Sequence, residues 1–254
     1  MLTNLPLQGK TIILTGTSKT TSVVDEMIAL GGQVVVYPLI ETCEISEVND
    51  GMQIEVARQF KWLIFTSQNA VEAFGKKMEQ FNLEAWHFQG KIASIGERTT
   101  EALEQLGFNV SFMPSVYSAD VFVKEFPEVA GNEPTCLFIR GDRAKKTLKS
   151  GLPFLIKEWT VYETIERHDH VEAIIDCIRS SEDVIVIFAS PSAVDVYALD
   201  VAPVIGWETA TIAAIGHITE SALENYGATV QIKPTVYTMH AVLEQLIKVG
   251  DEIK

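Results

Sequence analysis

The sequence predicts a parallel α/β protein in which one unit is built twice, and three observations carry that prediction. Ile92 to Tyr117 (IASIGERTTEALEQLGFNVSFMPSVY) returns at Ile212 to Tyr237 (IAAIGHITESALENYGATVQIKPTVY), with 13 of 26 positions identical when residue n is paired with n+120. Just upstream, Ile64 to Val71 (IFTSQNAV) is echoed by Ile187 to Val194 (IFASPSAV) at an offset of 123. Apolar runs such as Ile12-Ile13-Leu14 and Val34-Val35-Val36 lack polar alternation, the mark of strands buried on both faces of a parallel sheet. Identities in the long repeat include Gly96/Gly216, Thr99/Thr219, Gly107/Gly227, Pro114/Pro234 and Tyr117/Tyr237, so turns and loops recur along with the core. A unit used twice suggests two similar domains facing a shared cleft.

In chain order, Thr11 to Thr15 is a strand stopped by Gly16, Val23 to Leu30 has helical spacing ended by Gly31-Gly32, and Val34 to Tyr37 is a second strand. Pro38 to Thr42 leaves that sheet. A helix near Met52 to Gln59 leads to strand Trp62 to Thr66, and Ser67-Gln68-Asn69 caps a helix over Ala70 to Met78. Strand Ile92 to Ile95, a turn at Gly96, helix Thr99 to Leu106 and strand Val110 to Met113 follow, then a helix near Ala119 to Phe126 and strand Thr135 to Ile139. A short helix spans Ala144 to Lys149, and Glu158 to Thr164 resembles the earlier exit segment Tyr37 to Thr42. The second copy supplies strands Val184 to Phe188, Thr211 to Ile215 and Thr229 to Ile232, and a last helix from Thr238 to Val249.

Strand counting sets the domain boundaries. The first 37 residues hold two strands and residues 168–254 hold three, while 40–160 contain a complete set. The expected architecture is therefore two flavodoxin-like parallel-sheet domains joined by a two-stranded linker, one inserted in the other. Residues 1–38 and 168–254 form a five-stranded domain, 43–158 form its twin, and 39–42 and 159–167 are the linker strands. A contiguous split near residue 130 is the alternative.

Composition narrows the function. A chain of 254 residues accommodates two cores of roughly 110 to 130 residues each. A net charge of −14 disfavours nucleic acid and anionic membranes as partners, because both would be repelled at long range. Cys43, Cys136 and Cys177 are odd in number and widely spaced, which is neither a disulfide framework nor a metal or redox motif. With no signal-peptide pattern at the N-terminus and no long apolar span, the expectation is a cytoplasmic monomer.

Parallel sheets bind ligands beyond the carboxyl ends of their strands, where loops and helix starts present backbone N–H groups. The loops in question are Thr15-Gly16-Thr17-Ser18, Thr66 to Asn69, Gly96 to Thr99, Arg140-Gly141-Asp142-Arg143, Ser190-Pro191-Ser192 and Gly216 to Thr219. Ser67, Thr99, Ser190 and Thr219 read first as helix N-caps, and their recurrence in both copies adds a ligand role. Thr20 and Ser22 stand where a dinucleotide fingerprint needs glycine, and no phosphate-binding P-loop is present. His168-Asp169-His170 lacks a third ligand at metal spacing and reads as a solvated linker. Arg143, Lys145 and Lys146 form the clearest basic cluster. Tyr162, in the returning crossover, is either a packed aromatic or a phenol able to donate a proton in the cleft.

The echoed Ile64 to Val71 and Phe188 to Val194 segments, the Ile-Gly-x-x-Thr loops at Gly96 and Gly216, Arg140 to Arg143 and Val161 to Thr164 together resemble the uroporphyrinogen-III synthase family over nearly the whole chain. That resemblance implies two α/β domains whose cleft holds a linear tetrapyrrole. It also implies cofactor-free loss of water from hydroxymethylbilane, with ring closure and inversion of ring D through a spiro-pyrrolenine. Tyr162 would then be catalytic, and Ser67, Asn69, Gly96, Thr99, Arg140, Arg143, Ser190, Ser192, Gly216 and Thr219 would bind the substrate's carboxylates. Members often carry Thr-Arg-Pro after the first strand, whereas this chain has Thr15-Gly16-Thr17. The instability of the substrate suggests a transient contact with hydroxymethylbilane synthase. The reading from another class is a non-catalytic two-lobed module for small anions.

Overall fold

The structure, a computed structural model, describes residues 5–17 and 21–252 and, of residues 21 and 249–252, the backbone alone. Ser18 and Thr20, considered above with the first strand-end loop, lie outside the described residues.

The chain begins with β1 (Lys10–Leu14), α1 (Thr21–Ala29) and β2 (Gln33–Val36), and leaves along β3 (Ile40–Glu44). There follow α2 (Asp50–Ala57), β4 (Trp62–Phe65), α3 (Gln68–Gln80), a 3-10 turn at Ala85–His87, β5 (Lys91–Ser94), α4 (Glu97–Gln105), β6 (Val110–Phe112), α5 (Ala119–Ala130), β7 (Cys136–Gly141) and α6 (Thr147–Gly151). The long strand β8 (Ile156–Glu166) returns to α7 (Val171–Ser180) and β9 (Asp183–Phe188). α8 (Pro191–Val196) passes through a π-helical turn (Tyr197–Val201) into α9 (Ala202–Ile205), and β10 (Thr211–Ala214), α10 (His217–Asn225) and α11 (Met239–Glu252) complete the chain.

Two compact units result, one of residues 1–41 with 165–254 and one of 42–164. The expected linker segments 39–42 and 159–167 fall on or beside β3 and β8. Ile45 N–H donates to Val161 O and Arg167 N–H to Leu39 O, so numbering rises on one strand as it falls on the other and these two neighbours are antiparallel. A split near residue 130 would part β7 from β4, which pair in register from Trp62↔Cys136 to Phe65↔Ile139.

In the first unit the sheet order is β10-β9-β1-β2, all parallel. In the second it is β3-β8-β7-β4-β5-β6, with every pair from β8 to β6 parallel. Successive strand residues divide between two cores, as the unalternated apolar runs require. Ile13, Val184, Val186 and Ile212 enter one cluster of the first unit, and Ile12, Leu14, Ile185 and Ala213 the other. Leu63 and Phe65 likewise separate from Trp62 and Ile64 in the second unit. Each such side chain, when fully buried, stabilises by about 1.5–3 kcal/mol.

The expected strand at Thr229–Ile232 is corrected to a single parallel bridge, Ala213↔Ile232. The Gln231 side chain explains its shortness: its Oε1 accepts the Ile212 N–H at 2.7 Å, where a regular ladder would place a backbone carbonyl. The first unit therefore has four named strands and one bridging residue. Capping follows the repeat, since Ser118 accepts from Val121 N–H at the start of α5 and Thr238 accepts from Ala241 N–H at the start of α11.

One buried charge organises the second unit. Lys77 of α3 is wholly inaccessible, and its Nζ donates to Asp50 Oδ2 and to Ile45 O, both at 2.6 Å, with Glu44 Oε1 at 3.4 Å and the Trp159 ring 5.8 Å away. These bonds tie the end of β3 and the start of α2 to the helix that follows β4. Removing one partner of a buried pair leaves an uncompensated charge, which costs about 3–5 kcal/mol. Lys77→Ala is expected to lose stability on that scale in urea unfolding, and Lys77→Met combined with Asp50→Leu to lose much less. Equal losses would show that the charge pair is not the cause.

Candidate functional site

Strand order locates the crevice within each sheet. In the second unit the chain runs β4, β5, β6 to one side and resumes at β7 on the other side of β4, so the switch point lies between β4 and β7. In the first unit the corresponding place is between β1 and β9. Ligands of doubly wound sheets sit beyond the strand ends at such points.

At the β4/β7 switch point the structure brings together Ser67, Asn69, Arg140, Gly141 and Tyr162. Ser67 is the N-cap of α3, its Oγ accepting from Ala70 N–H at 3.2 Å. The same oxygen lies 3.1 Å from the phenol oxygen of Tyr162. Asn69, in the first turn of α3, lines a notch of about 30 Å³ with Tyr162, Cys43 and Lys76, room for about one water. Tyr162 is half-buried on β8, its ring over Gly141.

Arg140 faces inward upon its own loop. Its guanidinium donates to the carbonyls of Gly141, Asp142 and Ala144 and pairs with Glu158, which also accepts from Lys149. Asp142 Oδ1 in turn accepts from Thr164 N–H at 3.0 Å. Arg140 thus shapes the 141–144 turn, while Arg143, Lys145 and Lys146 lie exposed beyond it.

The matched glycine loops hold α4 and α10. Gly96, at φ +91°, and Gly216, in extended backbone, are the N-caps. The expectation that Thr99 and Thr219 cap these helices is corrected: each is the third residue of its helix and is buried, at 4% and 3% exposure, because the first turn packs that position into the unit. The repeat's shared tyrosines lie against the glycines. A Cβ on Gly96 would meet Tyr117 at 3.8 Å, and one on Gly216 would meet Tyr237 at 3.1 Å. Both rings are about half exposed, and Tyr117 Oη donates to Glu97 at 2.7 Å, which pushes its phenol up.

At the β1/β9 switch point, Thr15 is buried and its hydroxyl donates to Ile187 O at 2.9 Å. Gly16 lies near Ala189, and Ser190 caps α8 by accepting from Ser192 N–H at 3.2 Å. α3 and α8 have no acidic residue in the first turn; at α8 Ser190 already accepts from Ser192 N–H through its Oγ and from Ala193 and Val194 N–H through its carbonyl. α4 carries Glu97 and α10 carries Glu220, the latter paired with Lys233.

Gly141 and Glu158 were not among the expected site residues. Gly141 was legible only as part of the Arg140–Arg143 strand-end loop, and Glu158 had no signal, since its pairing with Arg140 depends on the β7–β8 register. Among the described residues no group of three or more His, Cys, Asp or Glu is placed to hold a metal ion.

The fold and these strand-end loops define a parallel α/β protein of two similar units, each with a serine-capped helix start at its switch point. The profile described as uroporphyrinogen-III synthase HemD matches residues 22–244. The chain belongs to the uroporphyrinogen-III synthase family. It is 26% identical to the uroporphyrinogen-III synthase of Chlorobaculum parvum, covering 84% of this chain and 88% of that one. It is 23% identical to the porphyrin biosynthesis protein HemD of Ruminiclostridium josui over 96% of its own length, and spans 49% of that longer protein. The crystal structure of a mutant uroporphyrinogen III synthase from Thermus thermophilus superposes with a TM-score of 0.71 at 11% identity, over 96% of this chain and 99% of the other. At that identity the likeness concerns the fold.

Burial raises the carboxyl of Glu158, but hydrogen bonds from Lys149 and Arg140, with their charges, outweigh it and hold the group below its ordinary value. A carboxylate lowered on folding stabilises fully above the ordinary glutamate pKa of about 4.3 and loses that contribution as pH falls through the folded value. The difference in unfolding free energy between the native chain and Glu158→Gln is therefore expected to be flat above about pH 5 and to shrink below it. A pH-independent difference in chemical denaturation would contradict this origin.

Proposed function

We propose that the chain is a uroporphyrinogen-III synthase that dehydrates and cyclises hydroxymethylbilane without a cofactor, inverting ring D. Family membership supports the reaction class. The observation that carries the site is the Tyr162 phenol, 3.1 Å from Ser67 at the β4/β7 switch point, where the family's substrate needs a proton donor for its departing hydroxyl.

The substrate bears eight carboxylates, and the chain's charge of −14 offers no long-range attraction. Local donors must therefore hold it. In this reading the backbone N–H groups at the starts of α3, α4 and α10, with Asn69, Gly96, Arg143, Ser190, Ser192 and Gly216, meet the acetates and propionates, those of α8 being taken up by Ser190. Thr99 and Thr219 hold the first turns of α4 and α10 in place, and Arg140 holds its loop. The same reading has residues 1–38 with 168–254 and 43–158 as the two domains of a cytoplasmic monomer that meets hydroxymethylbilane synthase transiently.

Hydroxymethylbilane closes spontaneously to the type I isomer, so the protein's chief task is to hold the chain curled with the correct carbons apposed. Positioning supplies on the order of 7–11 kcal/mol, against roughly 10²- to 10⁴-fold in rate from a general acid. Freshly generated hydroxymethylbilane is expected to give type III uroporphyrin after oxidation in the presence of the protein; type I alone would leave the non-catalytic anion-binding reading. Tyr162→Phe is expected to slow turnover markedly without abolishing it, because conformation carries the larger share. Unchanged turnover would remove the phenol's role.

A further inference from the structure

The sheet departs from its register beside Tyr162. From Cys136↔Ile156 to Arg140↔Thr160 the β7–β8 pairing keeps one offset, and the next pair is Gly141↔Tyr162. The residue passed over, Val161, is wholly buried in the core, and a bulge of this kind re-aims the side chain that follows it. Here it lays the phenol across Gly141. A Cβ at position 141 would lie 2.3 Å from Tyr162 Cζ and 2.6 Å from Oη, so any larger residue would displace the ring. Gly141 is not in the left-handed region. The requirement is for space.

The second contact is the hydroxyl of Ser67. Its oxygen already accepts the Ala70 N–H at 3.2 Å, and it has a single proton to give. The phenol oxygen is 3.1 Å away.

We propose that Gly141 and Ser67 are positioning residues that seat the Tyr162 phenol, Ser67 donating to the phenol oxygen so that the phenol's own proton is directed toward the substrate. This rests on the reading of Tyr162 as the proton donor. In the step concerned, the carbon–oxygen electron pair leaves with the hydroxyl, which takes the phenol's proton and departs as water. The phenolate keeps the Ser67 hydrogen bond. The proton released from the pyrrole carbon on ring closure then restores the phenol, so the balance is substrate to product plus water.

The test is a double-mutant cycle on the full chain, with kcat and KM measured on freshly generated hydroxymethylbilane. Ser67→Ala is expected to lower kcat by about tenfold, part of the roughly 10²- to 10⁴-fold a positioned acid contributes, with little change in KM. Ser67→Thr, which keeps both cap and donor, should restore it. Adding Ser67→Ala to Tyr162→Phe should lower kcat no further. A raised KM with unchanged kcat, or an additional loss in the Tyr162→Phe background, would mean that Ser67 contacts substrate itself and would overturn the inference. If Tyr162→Phe slows turnover and Ser67→Ala does not, this inference alone fails; if Tyr162→Phe is as fast as the native chain, the underlying reading fails too. Melting temperatures give a second arm independent of activity. Gly141→Ala should depress the melting temperature strongly in the native chain and only weakly alongside Tyr162→Ala, whereas equal losses would overturn the steric seat.

Discussion

Burial of both sheets on both faces is the constraint from which the other features follow. With Ile12 and Ile13, or Ile64 and Phe65, each at zero exposure and directed to opposite cores, the central strands of neither sheet have a free face to offer a ligand. Polar groups can gather only where the strands end. There the hydroxyls of Thr15 and Ser67 have no ladder to join and take up loop-fixing and capping bonds instead. The same burial explains why the two units agree in order. Opposite Trp62 of β4 stands Cys136 of β7, and opposite Ile185 of β9, the echo of Trp62 at the offset of 123, stands Ile12 of β1. β1 thus occupies in one sheet the place that β7 occupies in the other, although the two are far apart along the chain.

A chain of net charge −14 that binds an anionic ligand meets a conflict, and the disposition of its cations bears on how it is resolved. Lys77 is directed into the core against Asp50, and Arg140 into its own loop and Glu158. Both act on the backbone that carries the site: Lys77 holds the helix begun by Ser67, and Arg140 holds the turn begun by Gly141. Two of the basic residues nearest the switch point therefore supply rigidity. In the proposed reading the attraction for carboxylates falls to Arg143 and to neutral donors at helix starts, which a negative protein can present without altering its net charge.

Much of this was legible in the sequence because it depends on local pattern. The repeat, the unalternated strands and the glycine-ended helices gave the α/β class, and Ser67 and Ser190 read correctly as caps because a serine before an apolar helical run has few other uses. Thr99 and Thr219 misled for a physical reason. They stand in the same Gly-x-x-Thr pattern, but the glycine itself takes the cap position and turns the threonine into the core. Thr229 to Ile232 read as strand from β-branched residues, yet the Gln231 side chain replaces a ladder bond, which no propensity encodes. The Tyr162–Gly141–Ser67 arrangement was out of reach because it joins three segments through a bulge in the β7–β8 register.

The doubled frame also shows where the units part. By the correspondence of Cys136 with Ile12, the position of Arg140 is that of Gly16, so the loop-fixing guanidinium of one unit has as its counterpart a residue without a side chain. Downstream, Thr66 is matched by Ala189 and Gln68 by Pro191. Among the described residues the first unit keeps the helix cap at Ser190 and has Gly16 and Thr17 where the second has Arg140 and Gly141. A linear substrate whose two ends must be treated differently cannot be handled by two equivalent sites, because one end carries the leaving hydroxyl and the other the attacking carbon. The bulge beside Gly141 breaks the equivalence of the repeated units by laying the Tyr162 phenol across a strand-end loop in one of them.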